Sequence, residues 1–310
     1  MPEDVALVHQ EDGDELYLIH LPQDLPGFDR FLGAWLLVTS AAAYLVDPGP
    51  GVSVPRLIAN LEALGVRRLD YVLLTHIHLD HAGGTARLLE RYSEAKVFAH
   101  PRGRPHLLAP EALWKGSQKV MGEMAHYYGP PLPLSPENLA EEVSDVEVIE
   151  TPGHAPHHVC YRRGKILFAG EAAGVYREAG GLYLRPATPP RFFFDLAVES
   201  LDRLLSLDLE NALICHGHYG ANWGAAEIIR LHRSQLFLWR EVAAEALSRE
   251  PEEKAWYEFT RTALLARDPL LARFSFLSPE VQRREEYFLD NSLEGFRGDL
   301  LEGRAGPSGA

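Results

Sequence analysis

Residues 75–84 read Thr-His-Ile-His-Leu-Asp-His-Ala-Gly-Gly and follow directly on the apolar run Tyr71-Val72-Leu73-Leu74. A buried strand therefore ends in a dense set of imidazole and carboxylate groups where a helix should begin. In an extended segment, residues two apart point the same way, so His76 and His78 can share one metal ion. Asp80 and His81, at the turn into the helix, can then face a second ion. Gly83 and Gly84 remove side-chain bulk where backbone must approach closely. Imidazole and carboxylate donors suit Zn²⁺, Fe or Mn better than Ca²⁺ or Mg²⁺.

The surrounding pattern is that of an α/β fold. Leu16–His20, Trp35–Thr39 and Ala43–Val46 read as strands, the last closed by the turn Asp47-Pro48-Gly49. Val54, Leu57, Ile58, Leu61 and Leu64 recur at helical spacing, with Gly65 as a stop. A helix over 82–92 and a strand over 96–99 follow, which predicts a mixed sheet with helices outside it. Residues 101–144 break this rhythm, with prolines from Pro101 to Pro136 bracketing one predicted helix over 111–128. That stretch reads as an insertion, a candidate lid carrying Trp114, Met121, His126, Tyr127 and Tyr128. Strands are expected again at 146–149, 159–162, 166–169 and 212–215, with a helix over 196–205. From Asn222 onward the pattern is nearly all helical, over about 222–248, 252–267 and 279–295. Two units are thus expected: a catalytic domain over 1–221 and a helical C-terminal extension over 222–310. Apolar residues such as Phe237, Trp239, Tyr287 and Phe288 make a homodimer through that extension a further expectation.

At this point a family can be named. His-x-His-x-Asp-His at a buried strand end resembles the signature of the metallo-β-lactamase-fold superfamily, over about residues 15–220. Thr151-Pro152-Gly153-His154 is similar to the family's lone histidine after a turn, and Leu213-Ile214-Cys215-His216-Gly217 to its last histidine after a late strand. Phe168-Ala169-Gly170-Glu171 stands where the family usually carries Gly-Asp. The resemblance implies an αββα sandwich of the metallo-β-lactamase type. It also implies that His76, His78 and His154 hold one metal, that Asp80, His81 and His216 hold another, and that Glu171 bridges them. Glutamate is one methylene longer than the expected aspartate. It would bridge with an adjusted backbone, bind one metal only, or leave the second site weak. Two divalent ions, Zn²⁺ first and Fe or Mn as alternatives, are the implied cofactors.

Hydrolysis is the chemistry such a site suggests. A hydroxide on or between two metals is a strong nucleophile at neutral pH, because coordination lowers the pKa of water from 15.7 to about 7. Asp80 is the expected catalytic residue, ligating metal and orienting that hydroxide through its second oxygen. A small ester, thioester or lactone is the expected substrate. Thr75 to Gly84 is similar to the matching stretch of hydroxyacylglutathione hydrolases, yet Glu171-Ala172-Ala173-Gly174-Val175 replaces their Gly-Asp-Thr-Leu-Phe. The alternative is a mononuclear-iron persulfide dioxygenase, and after it a phosphodiesterase or nuclease.

Composition bounds the remaining choices. A formal net charge of −14 and the lack of a Lys/Arg cluster argue against nucleic acid and anionic lipid as partners. No apolar run reaches the ~18 residues of a membrane span. Two cysteines, Cys160 and Cys215, and a start without secretory character fit a cytoplasmic enzyme. Among other candidates, Cys215 reads as a buried strand residue, His158 as structural with a hydrogen bond that orients a ligand as the alternative, and His157 as solvated. His218 reads as lining the pocket rather than as a ligand. Asp47 either forms its turn or supports the site, and Arg185 and Arg191 read as ordinary surface arginines, with a hold on an anionic substrate group as the alternative.

Overall fold

The computed structural model describes residues 1–190, 192–249 and 252–302. Its first sheet takes its strands in chain order. β1 (Val5–Glu11), β2 (Asp14–His20), β3 (Gly33–Val38) and β4 (Ala43–Val46) form an antiparallel meander, to which β5 (Tyr71–Leu73) and β6 (Lys96–Phe98) add in parallel. Parallel neighbours need crossovers. The first is α1 (Val54–Ala63), which has Pro55 in its first turn, buries Leu57 and Leu61, and is followed by Gly65 at φ +77°. The second is the pair α2 (Leu79–Ala82) and α3 (Thr85–Leu89), shorter than the single helix expected over 82–92.

The insertion contains α4 (Arg104–Leu108), α5 (Glu111–Met121) and α6 (Glu123–Tyr128). One helix was expected over 111–128. It breaks at Gly122, whose φ of +54° no helical residue adopts. Ala125 and Tyr128 are buried against the first sheet's helices, with Trp114, Met121 and Tyr127 packed beside them.

The second sheet has the order β13-β12-β9-β8-β7, built from β7 (Glu147–Glu150), β8 (Val159–Arg163), β9 (Ile166–Gly170), β12 (Leu213–His216) and β13 (Ala221–Trp223). Between β9 and β12 lie the hairpin β10 (Val175–Glu178) and β11 (Leu182–Arg185), then α7 (Phe194–Leu205). Three long helices follow: α8 (Ala225–Arg249), α9 (Glu253–Arg267) and α10 (Pro279–Glu302).

Three apolar clusters define the layers. Trp35, Leu37, Tyr44, Phe98, Tyr161 and Phe168 fill the space between the sheets. Leu57, Leu61, Leu88 and Tyr128 cover the outer face of the first sheet. Leu167, Leu201, Trp239, Leu293 and Phe296 belong to the cluster outside the second. Helix, sheet, sheet, helix is the αββα sandwich. The C-terminal helices join the outer layer with α7, and the boundary expected after residue 221 falls inside β13. Among the described residues, no helix is long and apolar enough to cross a membrane.

Candidate metal centre

The centre lies where β4, β5, β9 and β12 end together. Asp47, just beyond β4 at φ +50°, anchors it. Its Oδ1 accepts the Thr75 backbone N–H at 2.8 Å and its Oδ2 accepts the Thr75 hydroxyl at 2.6 Å. The same Oδ2 lies 3.1 Å from His81 Nδ1. Since the Thr75 hydroxyl donates to Asp47, its oxygen is free to accept from His76 Nδ1, 3.0 Å away. Both imidazoles are thereby held by Nδ1–H with Nε2 facing inward, the arrangement that metal-ligating histidines need.

Glu171 comes from the other sheet. It follows Gly170, which sits at φ +52° and whose backbone Gly217 approaches so closely that a Cβ on Gly217 would lie 2.8 Å from it. The Glu171 backbone N–H donates to His158 Nε2 at 3.1 Å, and His158 Nδ1–H then meets Thr151 Oγ1 at 2.8 Å. His158 is thus a brace for the Glu171 backbone.

From there the carboxylate spans the cluster. Its Oε2 lies 3.0 Å from His154 Nε2, 3.3 Å from His76 Nε2 and 3.5 Å from His81 Nε2, while its Oε1 lies 3.0 Å from His218 Nε2. His154 Nε2 also lies 2.9 Å from His78 Nδ1, and its Nδ1 donates to the Ala187 carbonyl at 2.9 Å. Asp80 Oδ2 stands 3.7 Å from His81 Nε2 and 3.9 Å from His218 Nε2. The donors fall into overlapping groups: His76, His78, His154 and Glu171; Asp80, His81 and His218; and Asp47, His76 and His81.

Charge is strongly coupled here. Burial and the neighbouring His81 hold His76 well below the usual imidazole range, and burial with His154 brings His78 down to about 4. Burial also opposes charge on His81 and His154. It is outweighed at His81 by Asp80, Asp47 and Glu171, and at His154 by Glu171, so both are raised. Glu171, despite its burial, is held well below the carboxylate range by His154 and His218.

The donor set fits divalent metal. His76 Nε2 and His81 Nε2 are buried without a hydrogen-bond partner, yet both face the Glu171 carboxylate. Buried polar atoms are normally satisfied, and a cation among them would satisfy these. Nitrogen and carboxylate donors in these numbers suit Zn²⁺, Fe or Mn.

His216 does not join these groups. Its Nε2 meets Asn222 Oδ1 at 3.0 Å, and its ring stacks on Tyr176 at 4.9 Å. The pairing of β12 with β9 shifts by one residue between Cys215 and His216, with Ala169 of β9 as the extra residue. The place expected of His216 is filled by His218, two residues beyond. Thr75, whose hydroxyl links Asp47 to His76, is a further contributor that no sequence spacing marked.

Other expectations resolve by contact. Arg185 is buried and donates from Nε to Glu285 at 2.7 Å, which removes it as a hold for a substrate anion. Arg191 lies outside the described residues. His157 is mostly buried rather than solvated, lying edge-on to His78 at 6.1 Å, and its environment brings it down to about 3, chiefly through burial.

Comparison with known proteins places this geometry in context. Residues 32–218 match the family model described as the metallo-beta-lactamase superfamily. A metallo-beta-lactamase fold-containing protein of Sulfurisphaera tokodaii is 32% identical over 206 residues, 61% of this chain and 74% of that protein. A hydroxyacylglutathione hydrolase of Aeromonas hydrophila is 29% identical over 196 residues, 63% of this chain. The match spans 64% of that enzyme's length. Among solved structures, an archaeal metallo-beta-lactamase superfamily protein from Sulfolobus tokodaii superposes with a TM-score of 0.62 at 24% identity, covering 90% of this chain and 98% of that one. A metallo-beta-lactamase family protein from Thermus thermophilus gives 0.59 at 23%, covering 94% and 96%. At such identities the two structures establish the shared fold.

Proposed function

Because the chain belongs to the metallo-beta-lactamase superfamily of metal-dependent hydrolases, we propose that it cleaves a small ester, thioester or lactone at the histidine centre. One observation carries the reading: the Nε2 atoms of His76 and His81, buried without a hydrogen-bond partner, face a single carboxylate that also reaches His154 and His218. His76, His78 and His154 would hold one ion, Asp80, His81 and His218 a second, with Glu171 between them. The thioester option draws support from the Aeromonas hydrolase, whose name describes action on a glutathione thioester.

Divalent ions bound there would lower the pKa of water toward about 7 and polarise the substrate's carbonyl oxygen. The chain's own residues do the rest. Asp47 and Thr75 keep the Nδ1 protons of His81 and His76 away from the centre. Glu171 sets the spacing between the donor groups from its brace on His158. The Asp80 side chain retains 16% exposure, more than that of Glu171 or any of the histidines that face it. It is therefore the group placed to orient an incoming water and take its proton. No separate serine or cysteine nucleophile is needed.

The test is metal content per chain, followed by a panel of esters, thioesters, lactones, phosphodiesters and persulfides. Two ions per chain are expected. Turnover of one acyl class should disappear both on chelation and in His76→Ala. One iron per chain with oxygen uptake on a persulfide would replace the hydrolase reading with the dioxygenase one.

A further inference from the structure

We infer that the C-terminal helix α10 is a positioning element of the metal centre, acting on His154 through the segment that joins β11 to α7. This rests on the metal-hydrolase reading above. His154 donates from Nδ1–H to the Ala187 carbonyl, which turns its Nε2 toward Glu171 and His78. Ala187 belongs to a stretch without regular structure, Pro186-Ala187-Thr188-Pro189-Pro190. Its prolines fix φ and supply no N–H, so the stretch cannot hold itself in place by a ladder of its own. Its position must come from what it packs against.

That support is one face of α10. Glu285, Ser292, Gly295 and Asp299 follow one another at intervals of seven, three and four, which places them along a single stripe of the helix. Each engages the joining segment in turn. Glu285 accepts from Arg185 Nε at 2.7 Å, just before the segment. The Ser292 hydroxyl donates to the Pro186 carbonyl at 2.9 Å, and the Thr188 hydroxyl donates to the Ser292 carbonyl at 2.8 Å. These two bonds hold the residues on either side of Ala187. Gly295 lies so close beneath that a Cβ would stand 2.3 Å from the Thr188 carbonyl oxygen and 2.7 Å from that of Pro189. Asp299 accepts the Phe194 backbone N–H at 3.3 Å, where α7 begins. Ser292 and Thr188 are both buried, so water does not substitute for either bond.

The same helix reaches the other donor group. Arg284 lies over the Phe31 ring at 4.4 Å, and Phe31 meets the His218 ring edge-on at 4.5 Å. The extension is therefore tied to both sides of the centre, while contributing, among the described residues, no donor to any of the three groups. Ser292 and Thr188 are positioning residues: they act on the metal only through the Ala187 carbonyl and His154.

Full-length variants separate positioning from plain stability. Thr188→Val removes the hydroxyl at nearly constant volume, Thr188→Ser keeps it, and Ser292→Ala breaks the second bond. Leu264→Ala serves as the control. Leu264 is buried in the same outer cluster, on α9, and touches none of these groups through a polar contact. Zinc affinity is read by chelator competition, and the visible absorption of the cobalt-substituted protein reports ligand geometry. Loss of groups that orient metal ligands typically costs 10–100-fold in affinity. Thr188→Val and Ser292→Ala should accordingly weaken zinc binding about 10-fold or more and alter the cobalt spectrum. Thr188→Ser should restore both, and Leu264→Ala should lower Tm while leaving both at wild-type values. Unchanged zinc affinity in Thr188→Val, or an equal loss in Leu264→Ala, would overturn the inference while the hydrolase reading stands. Wild-type protein that takes up no zinc, iron or manganese would overturn both.

Discussion

A single proton placement separates a ligand from a bystander among the histidines of this chain. His81 and His76 turn Nε2 inward because Asp47 and Thr75 hold Nδ1. Asp47→Ala should therefore weaken metal binding by about 10–100-fold without removing a ligand, measured by chelator competition at constant pH. His218 and His216 offer a sharper comparison. His218→Ala should reduce the metal bound per chain by up to one ion, while His216→Ala should leave the count unchanged; the opposite ranking by elemental analysis would restore His216 to the site. These two residues also show what the sequence could and could not convey. His76 and His78 fall in one donor group although β5 ends at Leu73 and both stand in the loop before α2. His216 lies outside those donor groups, next to a shift in the β12–β9 pairing that is a property of strand pairing rather than of local sequence. Thr75 left no trace in any spacing, since its part depends on β4 and β5 lying side by side.

At the scale of elements, the turn after β9 carries the departure from Gly-Asp. Gly170 takes φ +52° with a neighbour on each side: an added Cβ would meet His158 Nε2 at 2.4 Å and Thr75 Cβ at 2.9 Å. Gly170→Ala should destabilise the protein by roughly 2–3 kcal/mol, through strain in the left-handed region and overpacking together. It should also loosen metal, because the brace from His158 to the Glu171 backbone cannot survive the shift. Urea unfolding with and without metal separates the two effects. An unchanged midpoint in the metal-free protein would mean that the turn relaxes freely. The larger elements were mostly readable, since buried strands such as β9 and the long periodic helices α8 to α10 follow from apolar spacing alone. The single helix expected over 111–128 was not, because one glycine within good helical periodicity carries no mark of the conformation it adopts. β1 went unread for a different reason: much of it is exposed at the sheet edge, and its composition shows no strong alternation.

The whole molecule is tied together at a buried ionic cluster around Glu285. Glu285 on α10 accepts from Arg185 of β11 at 2.7 Å, from the adjacent Arg284 at 2.6 Å and 3.0 Å, and from the Tyr183 hydroxyl at 3.0 Å. Arg284 also donates to the Gly27 carbonyl and lies over Phe31, while Arg185 lies over Phe288, so the cluster links the first sheet's loops, the β10–β11 hairpin and the C-terminal helix. Burial disfavours the Glu285 carboxylate, but the two guanidinium groups outweigh it and lower its pKa to about 2 from an ordinary 4.5. Above pH 4.5 the group is ionised both folded and unfolded, and its full contribution, on the order of 3 kcal/mol, is present. As pH falls from about 4.5 toward 2, the unfolded chain binds the proton first, and that contribution is lost. Glu285→Gln leaves two buried cations without a carboxylate, which should cost about 3–5 kcal/mol at neutral pH. The expected signature is a gap in unfolding free energy between wild type and Glu285→Gln that is constant from pH 7 to 5 and narrows steadily below 4.5. Both proteins should be compared metal-free, so that acid release of metal does not enter the difference. A gap that stayed constant into acid would mean that Glu285 stabilises the fold through packing rather than charge.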